Sequence, residues 1–210
     1  KFNRLKNPDR IFPGQTIRIP VDLLKAVPAD AAVTFLKGDV KVQPGGSDRF
    51  TQLNLKDRVR QGSRIRTGDD GTVEITFDDG STFFQRPNTD LGLATVEQKG
   101  NIQYTNKVLV ETGKVVTKIR SATGKESRFE VQTPSSTGVA RGTEFRTSVD
   151  TDGATRVEVL EGLVAVSGAK TEIAVKEGEG TTVRSGEAPA PATRLLLPPP
   201  ITNFQPLLMD

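Results

Sequence analysis

The sequence predicts an all-β protein, an antiparallel, jelly-roll-like sandwich or double-stranded β-helix of about a dozen short strands with short non-β termini. Apolar and polar residues alternate in short runs along most of the chain, as expected for strands with one buried face. Glycine-containing turns separate these runs at close spacing. No long stretch has the 3.6-residue periodicity of an amphipathic helix.

The composition is that of a loop-rich β protein. The 210 residues are enough for one domain of about 150 residues with flanking segments. They include 20 Gly and 13 Pro, and no apolar run approaches the roughly 18 residues that a membrane-spanning helix requires. The chain begins at Lys1 without a signal peptide, so we expect a processed or truncated product.

The sequence contains neither histidine nor cysteine. This absence excludes Ser-His-Asp and Cys-His nucleophilic sites and thiolate or imidazole zinc sites. We therefore predict a protein that is not an enzyme, with no catalytic residues, no metal and no cofactor. The enzymatic alternative is a carboxylate-dependent glycosidase, and it is disfavoured because the paired acidic residues lie where turns would place them.

The first 20 residues contain a run of apolar, Asn, Gln, Pro and Gly residues at Asn3, Leu5, Asn7, Pro8, Ile11, Pro13, Gly14, Gln15, Ile17, Ile19 and Pro20. This run resembles the second half of a LysM module, a small unit that binds peptidoglycan and chitin. A fragment of this length cannot bury a core by itself, so we interpret 1–20 as a C-terminal remnant of the module. The resemblance implies that an upstream LysM unit of the parent chain tethers the protein to peptidoglycan.

Residues 21–31 are predicted to form a linker, with a turn of helix ending before Pro28 and with Leu23 and Leu24 lying against the next domain. Strand patterns begin at Val33, and a turn is expected at 111–113. The predicted strands of this part are Val33–Leu36, Val40–Val42, Ser63–Thr67, Thr72–Phe77, Ser81–Gln85, Leu91–Val96, Lys107–Glu111, Lys114–Ile119 and Ser127–Gln132.

The stretch 133–166 predicts consecutive antiparallel hairpins. Two alternating runs, Thr143–Val149 and Ala154–Leu160, are separated by the turn 150–153. A second turn at Glu161-Gly162 leads into the run Leu163–Val166. Glu172–Lys176 and Thr181–Arg184 then complete the domain.

The residue pattern across this stretch resembles the FecR domain family. The residues that carry the resemblance are Phe129, Val131, Thr133, Pro134, Arg141, Gly142, Thr143, Glu144, Phe145, Val157, Val159, Leu160, Glu161, Gly162 and Val164. The resemblance implies a periplasmic all-β module, here 32–186, that couples a receptor to an anti-sigma-factor signalling chain. The cytoplasmic anti-sigma segment and membrane helix of the family's best-known members do not occur in this sequence, which favours a scaffold or sensor role.

Two interpretations of the Arg141-Gly142-Thr143-Glu144-Phe145 motif remain open. In the structural one, which we favour, Gly142 has a positive φ, Phe145 fills the core, and Arg141 and Glu144 pair with charges on neighbouring strands. In the functional one, Arg141 binds a carboxylate of a partner protein.

The Glu161-Gly162 pair permits the same two interpretations, as a tight hairpin that needs a glycine or as an exposed tip that touches a partner.

The formal charge of +3, from 29 basic and 26 acidic residues, does not indicate nucleic-acid binding. Arg58, Arg60, Arg64 and Arg66 form a local basic cluster. We interpret it as a solvated strand face, with an anionic patch on a partner as the functional alternative. The turn carboxylates, such as those of 150–153, lack the six to eight oxygen ligands that calcium requires.

Together these features predict a non-catalytic, periplasmic cell-envelope module that acts as a protein-interaction, sensor or scaffold domain. Its expected partners are an envelope protein and, through LysM, peptidoglycan. The alternative is a module that binds carbohydrate, either peptidoglycan or exopolysaccharide. It is disfavoured because aromatic platforms hold sugars, and the chain has no Trp, one Tyr and ten Phe mostly at inward positions.

Residues 187–200 are predicted to form a stiff, proline-rich linker, and its apolar residues can dock on the domain. Residues 201–210 are predicted to be the start of a further, truncated module.

Overall fold

The computed structural model confirms the predicted all-β class, with 54% of residues in strands. It describes residues 3, 5, 7, 9–100, 102–120 and 128–196. These contain a 3₁₀ turn (Val21–Leu23) and eighteen strands rather than about a dozen, because several are two-residue pairings. The strands are β1 (Val27–Pro28), β2 (Ala31–Lys37), β3 (Val40–Gln43), β4 (Thr51–Gln52), β5 (Arg58–Val59), β6 (Arg64–Thr67), β7 (Thr72–Phe77), β8 (Thr82–Gln85), β9 (Asp90–Lys99), β10 (Gln103–Lys118), β11 (Arg128–Gln132), β12 (Thr137–Ala140), β13 (Glu144–Val149), β14 (Thr155–Glu161), β15 (Leu163–Gly168), β16 (Thr171–Lys176), β17 (Glu179–Val183) and β18 (Thr193–Arg194).

The strands form two curled sheets that share β10. Sheet A has the order β4-β3-β6-β9-β10-β11-β12-β15-β16, with β1 on the β6 side of β9. Sheet B has the order β5-β2-β7-β8-β10-β13-β14-β17-β18. Among the described residues, the strand pairings are antiparallel except that of β10 with β11, which is parallel. Hairpins alternate between the two sheets, so the chain winds around a shared interior.

The predicted turn at 111–113 is wrong, because β10 is one strand of 16 residues. Its first part pairs with β9 and β11 in sheet A, and its last part, from Gly113, pairs with β13 and β8 in sheet B. A register irregularity between Val110 and Thr112, followed by Gly113 with φ +101°, bends the strand from one sheet into the other. The glycine therefore marks a sheet crossing and not a chain reversal.

The predicted hairpin at Glu161-Gly162 is also wrong, because the chain crosses from one sheet to the other here. β14 pairs with β13 and β17 in sheet B, whereas β15 pairs with β12 and β16 in sheet A. Gly162, with φ +87°, carries the chain between the sheets. The preceding hairpin of β13 and β14, around 150–153, is confirmed.

The core lies between the two sheets and consists mainly of Val, Ile, Leu and Phe side chains. The alternation predicted for β7 is confirmed, since Val73, Ile75 and Phe77 are buried while the residues between them are partly exposed. The rings of Phe77 and Phe129 meet edge to face, with centroids 5.5 Å apart. One interior, shared by both sheets, therefore holds the strands together.

The segments before and after the core also contact it. Leu24 is partly buried and lies close to Gly100, but the prediction for Leu23 is wrong, since a single 3₁₀ turn leaves this side chain 69% exposed. β1 pairs with β9, and β18, within the predicted proline-rich linker, pairs with β17. The predicted module at 201–210 and the end of that linker, 197–200, lie outside the described residues. The domain boundaries remain predictions.

No helix in the described part of the chain is long and apolar enough to span a membrane.

Candidate functional site

The motif Arg141–Phe145 lies where the chain crosses from β12 in sheet A to β13 in sheet B. Gly142 has φ +57°, as expected, and Phe145 is 1% exposed, as expected for a core residue. Glu144 pairs with Lys118 of β10 at 3.0 Å, and this contact raises the pKa of the Lys118 ammonium. Arg141 is exposed, and its predicted role towards a partner stays a prediction.

The two parts of the family-like pattern meet at this crossing. The buried Thr143 hydroxyl lies 3.0 Å from the carbonyl of Arg141 and 3.1 Å from that of Leu163, so it can donate to either. A Cβ atom on Gly162 would lie 3.1 Å from the Gly142 carbonyl oxygen. The motif therefore joins two neighbouring sheet crossings, and Glu161 lies exposed beside them. The closest contacts of the motif are therefore made within the domain itself.

A second part of the pattern, at the β11–β12 turn, forms a chain of hydroxyl groups. Thr155 donates to Thr133 at 2.7 Å, and Ser135 donates to Thr155 at 2.8 Å or to the carbonyl of Val183 at 3.0 Å. Ser136 lies 3.0 Å from Thr133, hydroxyl to hydroxyl. Buried hydroxyls need such partners, and these bonds attach the sheet A hairpin to strands of sheet B.

The predicted arginine cluster is divided in the structure. Arg58 pairs with Asp78 at 3.4 Å and Arg60 with Asp30 at 3.1 Å, both near the β2–β5 edge of sheet B. All four arginines have an aspartate partner, which reduces their attraction for an external anion. The role of the cluster as a partner patch remains a prediction.

The other two arginines of the cluster share Asp90 on the outer face of sheet A. Arg64 binds both carboxylate oxygens, at 2.5 Å and 2.8 Å, and Arg66 binds one at 2.6 Å. The hydrogen bond to Asp90 raises the pKa of Arg64. The Arg66 guanidinium also lies 4.4 Å from the centre of the Phe50 ring.

The β7–β8 turn contains a largely buried carboxylate, Asp79. Its side chain accepts hydrogen bonds from the Ser81 amide at 2.9 Å and from Asn106 Nδ2 at 3.0 Å. Burial raises the pKa of Asp79, the Ser81 hydrogen bonds oppose the rise, and the neighbouring charge of Asp78 adds to it. The turn carboxylates thus have structural partners. Among the described residues, no three His, Cys, Asp or Glu side chains gather as a metal site.

We expect the free energy of unfolding of Asp79→Asn, relative to that of the wild type, to increase as the pH rises. A raised native pKa means that the protonated carboxyl favours folding fully below the ordinary value of 3.8, and that this contribution is lost as the pH rises through the native pKa. The variant has no such loss. Urea unfolding of both proteins at about pH 3 and pH 7 measures the difference. A difference that stays constant or falls with pH would contradict a raised pKa.

One candidate binding feature that sequence reasoning missed is a groove on the outer face of sheet B, of about 730 Å³. We call it the sheet B groove. It is lined by Arg86, Pro87, Asn88, Gly113, Lys114, Arg146, Ser148, Asp150, Arg156 and Glu158. Four of these residues are basic and two are acidic, so the lining carries a positive excess.

Strand register brings these charges together. Lys114 lies opposite Ser148, which lies opposite Arg156, so one row crosses β10, β13 and β14. In the next row Arg146 lies opposite Glu158, and their charged groups approach to 3.3 Å. Arg146 Nε is shielded from solvent and makes no hydrogen bond, because this approach does not have hydrogen-bond geometry. The Glu158 carboxylate therefore remains the charged partner of Arg146 in the structure.

An aromatic pair lies farther along the same face. The register irregularity of β2 between Val33 and Phe35 places Phe35 outward, where it is 44% exposed. Its ring lies 6.1 Å from that of Phe84, and the Arg86 guanidinium lies 5.4 Å from the Phe84 ring centre. The expectation that phenylalanines face inward therefore fails here, because a β-bulge changes which face a side chain occupies.

Comparisons with known proteins agree with this fold. Two crystal structures of a candidate anti-sigma factor from Parabacteroides distasonis ATCC 8503 are similar, with a TM-score of 0.51 and 16% identity over 62% of this chain. The chain spans 59% of the length of that protein, and at this identity the likeness concerns the fold alone. No curated protein matches significantly. The family model described as FecR protein matches residues 63–165, from just before β6 into β15. This part of the chain is therefore similar to FecR proteins.

Proposed function

We propose that the protein is a non-catalytic module of the bacterial cell envelope, acting in the periplasm as a protein-interaction, sensor or scaffold domain. The observation that carries this proposal is the FecR match over residues 63–165. The fold shared with a candidate anti-sigma factor supports a regulatory rather than an enzymatic role.

We further propose that the partner binds in the sheet B groove through a segment that contains carboxylates. Every residue that lines the groove lies within the FecR-matched region. Arginine binds carboxylates through two parallel hydrogen bonds, and Arg156 is exposed in the groove. The basic residues belong mainly to paired strands, which hold them in place before binding.

The attachment to peptidoglycan is part of the same proposal. Residues 1–20 would be the remnant of a LysM unit that tethers the parent chain, joined by 21–31 to the FecR-type domain at 32–186. Asn3 hydrogen-bonds the backbone of Arg18 in both directions, at 2.8 Å and 2.6 Å, which ties the two ends of this segment together.

The test is affinity capture of envelope proteins with the immobilised chain. We expect a retained protein that is released by salt. Arg156→Glu should lower its retention at least about tenfold, since breaking a desolvated charge pair costs about 2 kcal/mol or more. The matched control is Arg184→Glu, an exposed arginine outside the groove, which should leave retention unchanged. Retention of nothing, or equal loss in both variants, would contradict the proposal.

Glycan binding is the second candidate function, and the exposed Phe35–Phe84 pair is the observation that favours it. Sedimentation of the chain with purified peptidoglycan, abolished by Phe35→Ala and unaffected by Arg156→Glu, would favour this function over a protein partner.

A further inference from the structure

Strand β16 is an open edge of sheet A in the described part of the chain. All six of its residues, Thr171–Lys176, pair with β15 without a register shift, and this is the one residue-by-residue pairing that β16 makes with a described strand. The corresponding edge of sheet B is closed, since β18 pairs with β17 and the Ala190 amide donates to the Thr182 carbonyl at 3.0 Å. β16 has neither a proline nor a bulge, two devices that commonly block strand addition.

The backbone groups that face this open edge can be identified. The amide of Lys176 donates to the carboxylate of Glu179 at 3.0 Å and therefore points away from β15. In an antiparallel strand, alternate residues direct their N–H and C=O groups to the same side. Glu172, Ala174 and Lys176 therefore present these groups to the open edge, and the side chains of the same three residues are exposed.

We propose that β16 pairs antiparallel with β16 of a second copy of this chain, about a two-fold axis at Ala174. In this register, Ala174 lies opposite Ala174 of the second copy, and Glu172 lies opposite Lys176 of the second copy, twice by symmetry. On the inner face, Ile173 lies opposite Val175 of the second copy. Opposite charges and apolar side chains facing each other across strands stabilise a pairing, and a two-fold interface must be complementary to itself.

The charge pattern favours this register over the other hydrogen-bonded ones. An axis at Glu172 places two glutamates opposite each other, and an axis at Lys176 places two lysines opposite each other. An axis at Ile173 places Lys176 opposite Lys170 of the second copy. An axis at Val175 places Glu172 opposite Gly178, leaving both glutamates without a lysine. Like charges directly opposite each other are destabilising, so the axis at Ala174 alone gives two attractive pairs.

Pairing requires one local change. Glu179 must release the Lys176 amide, which then donates to the carbonyl of Glu172 of the second copy. Because the interface extends sheet A, it leaves the outer face of sheet B, with its groove, exposed in both copies. The inference stands independently of the proposed function.

The first test is the mass of the full chain in solution by light scattering across a range of concentrations. We expect a concentration-dependent dimer. Ala174→Pro should raise the dissociation constant at least tenfold, because proline removes an edge-facing amide that β15 does not use. At concentrations where the wild type is also monomeric, the variant should keep the wild-type melting temperature, and this readout separates lost pairing from lost folding. A monomer at every concentration would overturn the proposal.

Two further variants test the register. Glu172→Lys should weaken the dimer, and adding Lys176→Glu should restore it. Because the chain has no cysteine, Ala174→Cys should cross-link under mild oxidation, as Cα atoms in such a pair lie about 5.5 Å apart. Thr151→Cys, in the exposed β13–β14 turn, is the control and should not cross-link.

A dimer that is indifferent to these changes would overturn the proposal. So would dimerisation that appears only after deletion of 197–210, since the edge would then belong to the chain's own C-terminal segment.

Discussion

Replacing Phe145 with alanine is expected to lower the free energy of unfolding by about 3–5 kcal/mol. Its ring is 1% exposed and belongs to the core between the two sheets. The loss combines the transfer free energy of the ring with the cavity that remains, because neighbouring β-branched side chains can move only partly into the space. Urea unfolding followed by circular dichroism measures it.

Phe12→Ala is the matched control for this experiment. Phe12 is 64% exposed, so its removal should change the free energy of unfolding by no more than about 0.5 kcal/mol. If Phe145→Ala costs less than about 1 kcal/mol, the ring does not occupy the core and the position of β13 is wrong.

Gly113→Ala is expected to destabilise the protein by about 2–6 kcal/mol, from backbone strain and from crowding. Gly113 has φ +101°, a conformation that side chains oppose. A Cβ atom here would also lie 2.5 Å from Thr89 Cα and 2.7 Å from the Asn88 carbonyl oxygen. Because this backbone cannot yield without disturbing the β8–β9 connection, the bend of β10 would be lost or strained. Thermal unfolding measures the effect.

Gly178→Ala separates strain from crowding. Gly178 has φ +74°, but a Cβ atom there would meet nothing within 4 Å. We expect this control to cost only about 1–2 kcal/mol, the backbone contribution alone. Equal costs for the two variants would show that Thr89 does not approach Gly113 as described.

Much of the fold could be predicted from residue patterns because alternation directly reflects one-sided burial. Thr72–Phe77 is a strand with the predicted bounds, and the buried position of Phe145 followed from the same rule. The errors in how consecutive strands connect occurred at Gly113 and Gly162. A glycine with positive φ occurs both where a chain reverses in a hairpin and where it crosses between sheets, so local sequence does not distinguish the two.

The candidate groove could not be predicted in the same way. Lys114, Arg146 and Arg156 each stand at a polar position of a predicted strand, which is equally typical of a solvated face. Only the pairing of β10 with β13 and of β13 with β14 places them together. The arginine cluster shows the opposite case, since four residues close in sequence are divided between two sheets and bind aspartates up to 30 residues away.

The residue pattern was sufficient for the all-β class, the approximate positions of most strands and the resemblance to FecR domains, because these depend on local periodicity and on short motifs. The order of the strands, the crossings at Gly113 and Gly162, the charge pairs and the open edge at β16 depend on contacts between residues far apart in the chain. Such contacts are set by how the two sheets close around a common core, and this only the tertiary structure decides.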